Sequence, residues 1–286
     1  TLVTLGAMML GVGAGATGTY LYLGKRALVS DAISHATLPG VVLGFMVMVA
    51  LGGEGRFLPG LMLGAALSAV LGLLAVTWLT TRTRLHEDAA IGAVLSVFFG
   101  FGVVLLTVVQ VMDAGRQAGL ETFLLGATAG MLRDEALTIA AGGVVVLALV
   151  RLLHRPMILV AFDPDYAVGQ GMRLARVDLA MMGLALAITV TGLKVVGLVL
   201  IVALLIIPPV AARFWSERAG HVVMIAGAVG GVAGYLGAAF SATAPDLPTG
   251  PLIVLAAFAL FVLSLLMAPG RGVLAAALRH LRFQRR

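Results

Sequence analysis

The sequence predicts an all-α fold: a polytopic transmembrane helix bundle of about eight to nine spans. Three observations predict it. Hydrophobic residues make up 61% of the 286 and charged residues 11%, against about 45–50% and about 25% in a soluble domain. The apolar residues also gather into nine stretches, near 2–23, 36–52, 58–80, 90–112, 135–153, 177–192, 195–212, 221–242 and 250–268, and a span needs about 20 such residues. Finally, the basic residues crowd into alternate connections between those stretches.

The same numbers exclude a soluble globular domain and a disordered chain, because the apolar surface is too large and the charge too scarce to solvate it. Little chain remains for a soluble appendage, so residues 1–286 read as one transmembrane domain. Cysteine is absent, which removes disulfides and thiolate metal sites. A net charge of +6 and a pI near 10.5 follow from basic loops on one side of a membrane, so no nucleic-acid partner is expected.

Fifteen of the 19 basic residues occupy one alternating set of connections: Lys25, Arg26, Arg82, Arg84, Arg151, Arg155, Arg173, Arg176, Arg213, Arg218, Arg271, Arg279, Arg282, Arg285 and Arg286. Arg56, Arg116, Arg133 and Lys194 make up the other set. The positive-inside rule places the first set, and the C-terminus, in the cytoplasm, with Thr1 outside.

Taken in order, stretch 2–23 has no basic leader and is long enough to span, so it reads as a helix and not as a cleaved signal. Gly11 and Gly15 give it GxxxG spacing, and Gly227, Gly231, Gly230 and Gly234 repeat that spacing in 221–242. Small residues so spaced let helices pack closely in lipid. Stretch 36–52 is preceded by polar residues, and Pro39-Gly40 is expected to disrupt the helix there. Glu87 and Asp88 open 90–112 as first-turn acids, which the helix dipole favours. Stretches 177–192 and 195–212 are separated only by Thr191-Gly192-Leu193-Lys194, so the count is uncertain by one. Asp246 stands in a Pro-containing turn before 250–268.

Ionisable groups at membrane depth are costly and mark function by default. The run Ser30-Asp31-Ala32-Ile33-Ser34-His35 places Asp31 and His35 at i, i+4, one above the other on one helical face. A carboxylate with an imidazole suits Mn²⁺, Zn²⁺ or Fe²⁺. Two ligands do not complete a shell, so a second chain or carboxylate would have to contribute. The competing reading makes Ser30 and Asp31 a helix cap and His35 an ordinary buried polar residue.

Residues 30–45, SDAISHATLPGVVLGF, resemble the signature of the zinc/manganese/iron class of ABC-importer permeases. The resemblance continues through HEDAAIGAVLSVFFGFG at 86–102, QAGLETFLLGATAGM at 117–131, LKVVGLVLIVALLIIPPVAAR at 193–213 and APDLPTGPLIVL at 244–255. It implies an ABC importer permease with a BtuC-like arrangement, in which Asp31 and His35 line the path and bind the metal in transit. The 117–131 segment is closer to manganese-type members, which favours Mn²⁺ over Zn²⁺ or Fe²⁺. The implied partners are a cytoplasmic ABC ATPase dimer, an extracytoplasmic metal-binding protein, and a second permease chain, identical or paralogous. The implied location is the lipid bilayer of a bacterial plasma (inner) membrane. No cofactor is implied, since the metal is cargo.

The longest cytoplasmic connection, about 154–176, contains FDPDYAVGQGM. Asp163 as N-cap and Pro164 at the first helical position start a short helix there. By the resemblance it couples to the ATPase through Phe162, Asp163, Pro164, Ala167 and Gly171. His86, His154, His221 and His280 lie near cytoplasmic helix ends, while Glu121, Arg133, Asp134 and Glu135 read as solvated exofacial charges.

No G-x-x-x-x-G-K-[ST] run is present, so ATP hydrolysis would have to come from another subunit and the chain is not itself an enzyme. No H-E-x-x-H occurs either, which disfavours a zincin-type membrane protease. A permease for a siderophore or corrinoid chelate is the alternative within the same group, though such proteins lack the early Asp/His motif. An ATP-independent metal transporter would need more intramembrane carboxylates.

Overall fold

The computed structural model describes residues 2–53, 55, 57–112, 133–197, 200–243, 247–269 and 271–274, with the backbone alone at 2, 135 and 194. Arg56, Arg116, Glu121, Asp246, Arg279, His280, Arg282, Arg285, Arg286 and segment 117–131 lie outside the described residues, as do the side chains of Glu135 and Lys194.

The described elements are all helices. They are α1 (Leu2–Leu23), α2 (Ala27–Ala50), α3 (Leu58–Arg82), α4 (Glu87–Val111), α5 (Arg133–Phe162), α6 (Pro164–Gly169), α7 (Leu174–Val196), α8 (Ile201–Arg213), α9 (Ala219–Ser241) and α10 (Thr249–Met267). Each expected apolar stretch is matched by a helix, except that stretch 195–212 is helical only up to Val196 and again from Ile201. By length and composition seven of the described helices can cross a membrane alone: α2, α3, α4, most of α5 and α7, α9 and α10. The expected eight to nine spans is slightly high by that measure. The 13 residues of α8 reach only about 20 Å.

Three boundaries differ from expectation. The second helix begins at Ala27, not near 36, and runs unbroken through Pro39-Gly40 to Ala50. Proline removes only one backbone donor, the one that would reach the carbonyl of residue 35. Close packing of α2 on α3 holds the helix across that gap. A Cβ at Gly40 would overlap the Gly64 carbonyl, and one at Gly64 the Gly40 carbonyl. The fifth helix continues past 153, through Pro156, to Phe162, because the buried Met157 still packs in the core. The α7–α8 break falls after Gly197 rather than at 191–194: Gly197, at φ +87, caps α7 by donating to the Leu193 carbonyl.

Two groups of helices share the core. One gathers α1, α5, α8, α9 and α10 around Leu10, Tyr20, Ile139, Leu204 and Ile253. The other gathers α2, α3 and α4 around Leu38, Phe45, Leu61 and Val109. Helix α7 serves both, placing Ile188 in the first and Val190 and Leu193 in the second. The expected small-residue packing is present between α1 and α9. A Cβ on Gly11 would overlap the Gly230 carbonyl, and one on Gly230 the Gly11 carbonyl. In lipid such closeness replaces the hydrophobic effect with dispersion contacts over a long seam.

Candidate functional site

The early cluster lies inside α2, not before it. The N-cap is Arg26 without a side-chain bond, so Ser30 and Asp31 do not cap the helix. Ser30 instead donates to the Ala27 carbonyl at 2.6 Å. Asp31 and His35 sit about 6 and 12 Å along the helix from its start. From Val29 to Val42 every residue of α2 is buried except these two. The pair therefore forms the open edge of an otherwise enclosed segment.

His35 Nε2 is 3.3 Å from Asp31 Oδ1, with the imidazole 13% and the carboxylate 35% exposed. Phe99 of α4 fixes the ring edge-on, with centroids 4.8 Å apart and planes at 83°. His35 Nδ1 is buried and has no hydrogen-bond partner among the described residues. Two ligands about 2.1 Å from one ion stand roughly 3.0 Å apart at octahedral and 3.4 Å apart at tetrahedral angles. The observed separation thus fits an edge of such a polyhedron, and equally a hydrogen bond when no ion is present. Among the described residues no group of three or more His, Cys, Asp or Glu side chains could hold a metal. The pair remains two ligands per chain.

Below the pair, Arg26 ties three helix starts together. Its Nη1 lies 3.1 Å from Asp178 Oδ2 of α7 and its Nε lies 3.7 Å from Glu87 Oε1 of α4. Glu87 is therefore an ion-pair partner as well as a first-turn acid. Asp178 was not singled out by the sequence, because nothing local links it to Arg26.

The expected short helix is α6. Asp163 accepts from the Tyr166 N–H at 2.9 Å and Pro164 follows it, as cap and first helical residue. Gly171, at φ +78, closes the helix. Its N–H reaches the Val168 carbonyl and the Met172 N–H reaches the Ala167 carbonyl, both bonds of a Schellman motif. Ala167 is buried and anchors the helix, whereas Phe162, Tyr166 and Val168 are exposed. Tyr166 and Val168 are apolar contact candidates that the sequence reading missed. Only Ala167 of the six residues is buried, and nothing in the sequence marked Tyr166 and Val168 as the exposed apolar side chains.

A helical bundle with a half-open ionisable pair along one buried helix, and an exposed, doubly capped short helix at its basic end, defines a multi-pass membrane permease. The chain belongs to the ABC 3 transport family, which it matches over residues 1–268. It is the membrane-embedded, non-enzymatic component of a bacterial ABC importer, and ATP hydrolysis belongs to a separate subunit. It is 39% identical over 284 residues to the manganese transport system membrane protein MntC of Bacillus subtilis, covering 99% of this chain and 64% of that protein. It is 39% identical over 272 residues to the zinc transport system membrane protein TroC of Treponema pallidum, covering 95% of this chain and 90% of that protein. The solved structure of PsaBC from Streptococcus pneumoniae in complex with Fab has a chain of the same fold, with TM-score 0.80 and 26% identity, covering 99% of this chain and 94% of that one.

Proposed function

We propose that this chain forms, with a second permease chain, the path of an ATP-driven importer of divalent transition-metal ions, with Mn²⁺ as the favoured cargo and Zn²⁺ or Fe²⁺ within the same ligand chemistry. The carrying observation is the Asp31–His35 pair, the only break in a buried run of α2. Its open edge leaves room for ligands from the partner chain, which would complete the shell.

The chemistry of His35 supports transit over storage. A metal-bound imidazole ordinarily donates its other N–H to a fixed acceptor, and losing that acceptor costs about 10–100-fold in affinity. Among the described residues Nδ1 of His35 has no such partner. A weaker site is what conduction requires, because an ion that binds must also leave.

The basic end of the bundle, with α6, faces the cytoplasm in this reading. An ABC ATPase dimer docks there on Phe162, Tyr166 and Val168, while Asp163, Pro164, Ala167 and Gly171 hold the helix in shape. A metal-loaded extracytoplasmic protein delivers from the other side. ATP binding and hydrolysis then alternate access to the pair.

Uptake of radiolabelled Mn²⁺ into proteoliposomes containing permease, ATPase and binding protein tests the reading. Asp31→Ala and His35→Ala abolish uptake while assembly and basal ATPase activity persist. Wild-type uptake by both variants would falsify it.

A further inference from the structure

A cleft of about 650 Å³ lies between α1, α5 and α9, lined among others by Ala16, Tyr20, Val150, Arg151, His154, Arg155, His221 and Met224. Two of its walls, α5 and α9, belong to the helix group that does not include α2. All three of its walls change character at the same level. On α1 the lining runs from Val12 and Ala16 to Tyr20; on α5 it runs from Leu147 and Val150 to Arg151, His154 and Arg155. Helix α9 runs the other way and begins with His221 before Val223, Met224 and Gly227. The cleft is thus apolar toward the middle of the bundle and basic toward its end.

Its polar rim is ordered. The Tyr20 hydroxyl and His154 Nδ1 are 2.6 Å apart, with Tyr20 itself buried. When that hydroxyl donates to Nδ1, the ring N–H sits on Nε2, on the side facing Gly220. No acidic side chain lines the cleft, and among the described residues neither Arg151 nor Arg155 meets a carboxylate. Arg151 lies about 27 Å along α5 from its start, close to the thickness of a hydrocarbon core. A helix entering the hydrocarbon at Arg133 would bring Arg151 to headgroup depth on the far side.

We infer that this cleft binds an anionic phospholipid, with the phosphate on Arg151, Arg155 and His154 and an acyl chain along Ala16, Val150 and Met224. Basic pockets between transmembrane helices at one membrane face suit acidic headgroups. An acidic protein segment would satisfy the rim but leave the apolar depth unfilled, and a free phosphate would do the same.

Native mass spectrometry of the full chain in detergent, titrated with dioleoylphosphatidylglycerol or dioleoylphosphatidylcholine, tests the inference. Phosphatidylglycerol is retained selectively. The Arg151→Gln/Arg155→Gln double variant weakens that retention by about 30-fold, from two basic residues removed, and leaves phosphatidylcholine unchanged. Inorganic phosphate at the same concentration does not displace the lipid. Equal retention of the two lipids by the wild type overturns the inference, and needs no variant. So does unaltered phosphatidylglycerol retention in the double variant, displacement by inorganic phosphate alone, or displacement by the docked ATPase, which would assign the cleft to protein.

Discussion

The α1–α9 seam and the exposed edge of α2 solve opposite problems with the same helical backbone. Along the seam, side chains are absent where the helices meet, and Gly11 and Gly230 bring carbonyls to where a Cβ would have to sit. Along α2, two ionisable side chains interrupt a buried run and keep one edge unfilled. Where Gly11 and Gly230 meet, the seam has no side chain to titrate or coordinate, so at that level it acts as scaffold. The α2 edge sacrifices packing for chemistry. In a bundle with so few charges, function sits where close packing has been given up.

Substitutions can break that contrast, and the largest effect belongs to the seam. Gly11→Leu forces a branched side chain into the Gly230 backbone, which a flexible neighbour cannot relieve. Overpacking of this kind costs about 3 kcal/mol or more. Little monodisperse permease is expected in size-exclusion profiles of detergent extracts. A normal profile would mean that α1 and α9 are less tightly apposed than described.

The next effect separates function from stability. His35→Ala lowers Mn²⁺ uptake by at least about 100-fold, as loss of a ligand to the ion would, yet leaves the size-exclusion profile intact. If accumulation fell as far as in Gly11→Leu, His35 would belong with the scaffold.

Arg26→Gln is smaller. It removes two partly exposed ion pairs, worth about 1 kcal/mol together and screened by salt. Thermal unfolding should fall by a few degrees at low ionic strength, and the difference should shrink in high salt. A salt-independent loss would point to packing of the arginine stem instead.

Thr189→Val is the smallest. The Thr189 hydroxyl is buried without a partner among the described residues, so replacing it with an isosteric methyl leaves stability within about 0.5 kcal/mol or slightly raised. A loss beyond about 1 kcal/mol would reveal a partner for that hydroxyl in the membrane.

Much of the bundle could be read from apolar run length, and the misreadings have physical causes. Ser30, Asp31, Ser34 and His35 depress hydropathy over the first turns of α2, so the helix looked shorter than it is. Its backbone bonds form regardless, because the surrounding helices bury it. Gly197 through Leu200 is as apolar as its flanks, so the α7–α8 break had no hydropathic signal. Arg151 and Arg155 ended the apparent fifth span while the helix itself continued. At the candidate site the i, i+4 pairing is local and was legible. The Arg26–Glu87–Asp178 ties and the Phe99 contact join residues from separate helices, and only the fold brings them together.

Pro39 carries a mechanical consequence. Because it lacks an N–H, the carbonyl of His35 has no donor one turn above it, and α2 is one rung short there. Beyond that point the helix is clamped at Gly40 against Gly64, and before it lie Asp31 and His35. A bend at this level breaks no backbone bond, since the bond is already missing. Any movement there would have to carry the ionisable pair together with Val29, Ala32 and Ile33, which are packed on α3 and α4, so the first half of α2 could shift only as one body with its neighbours.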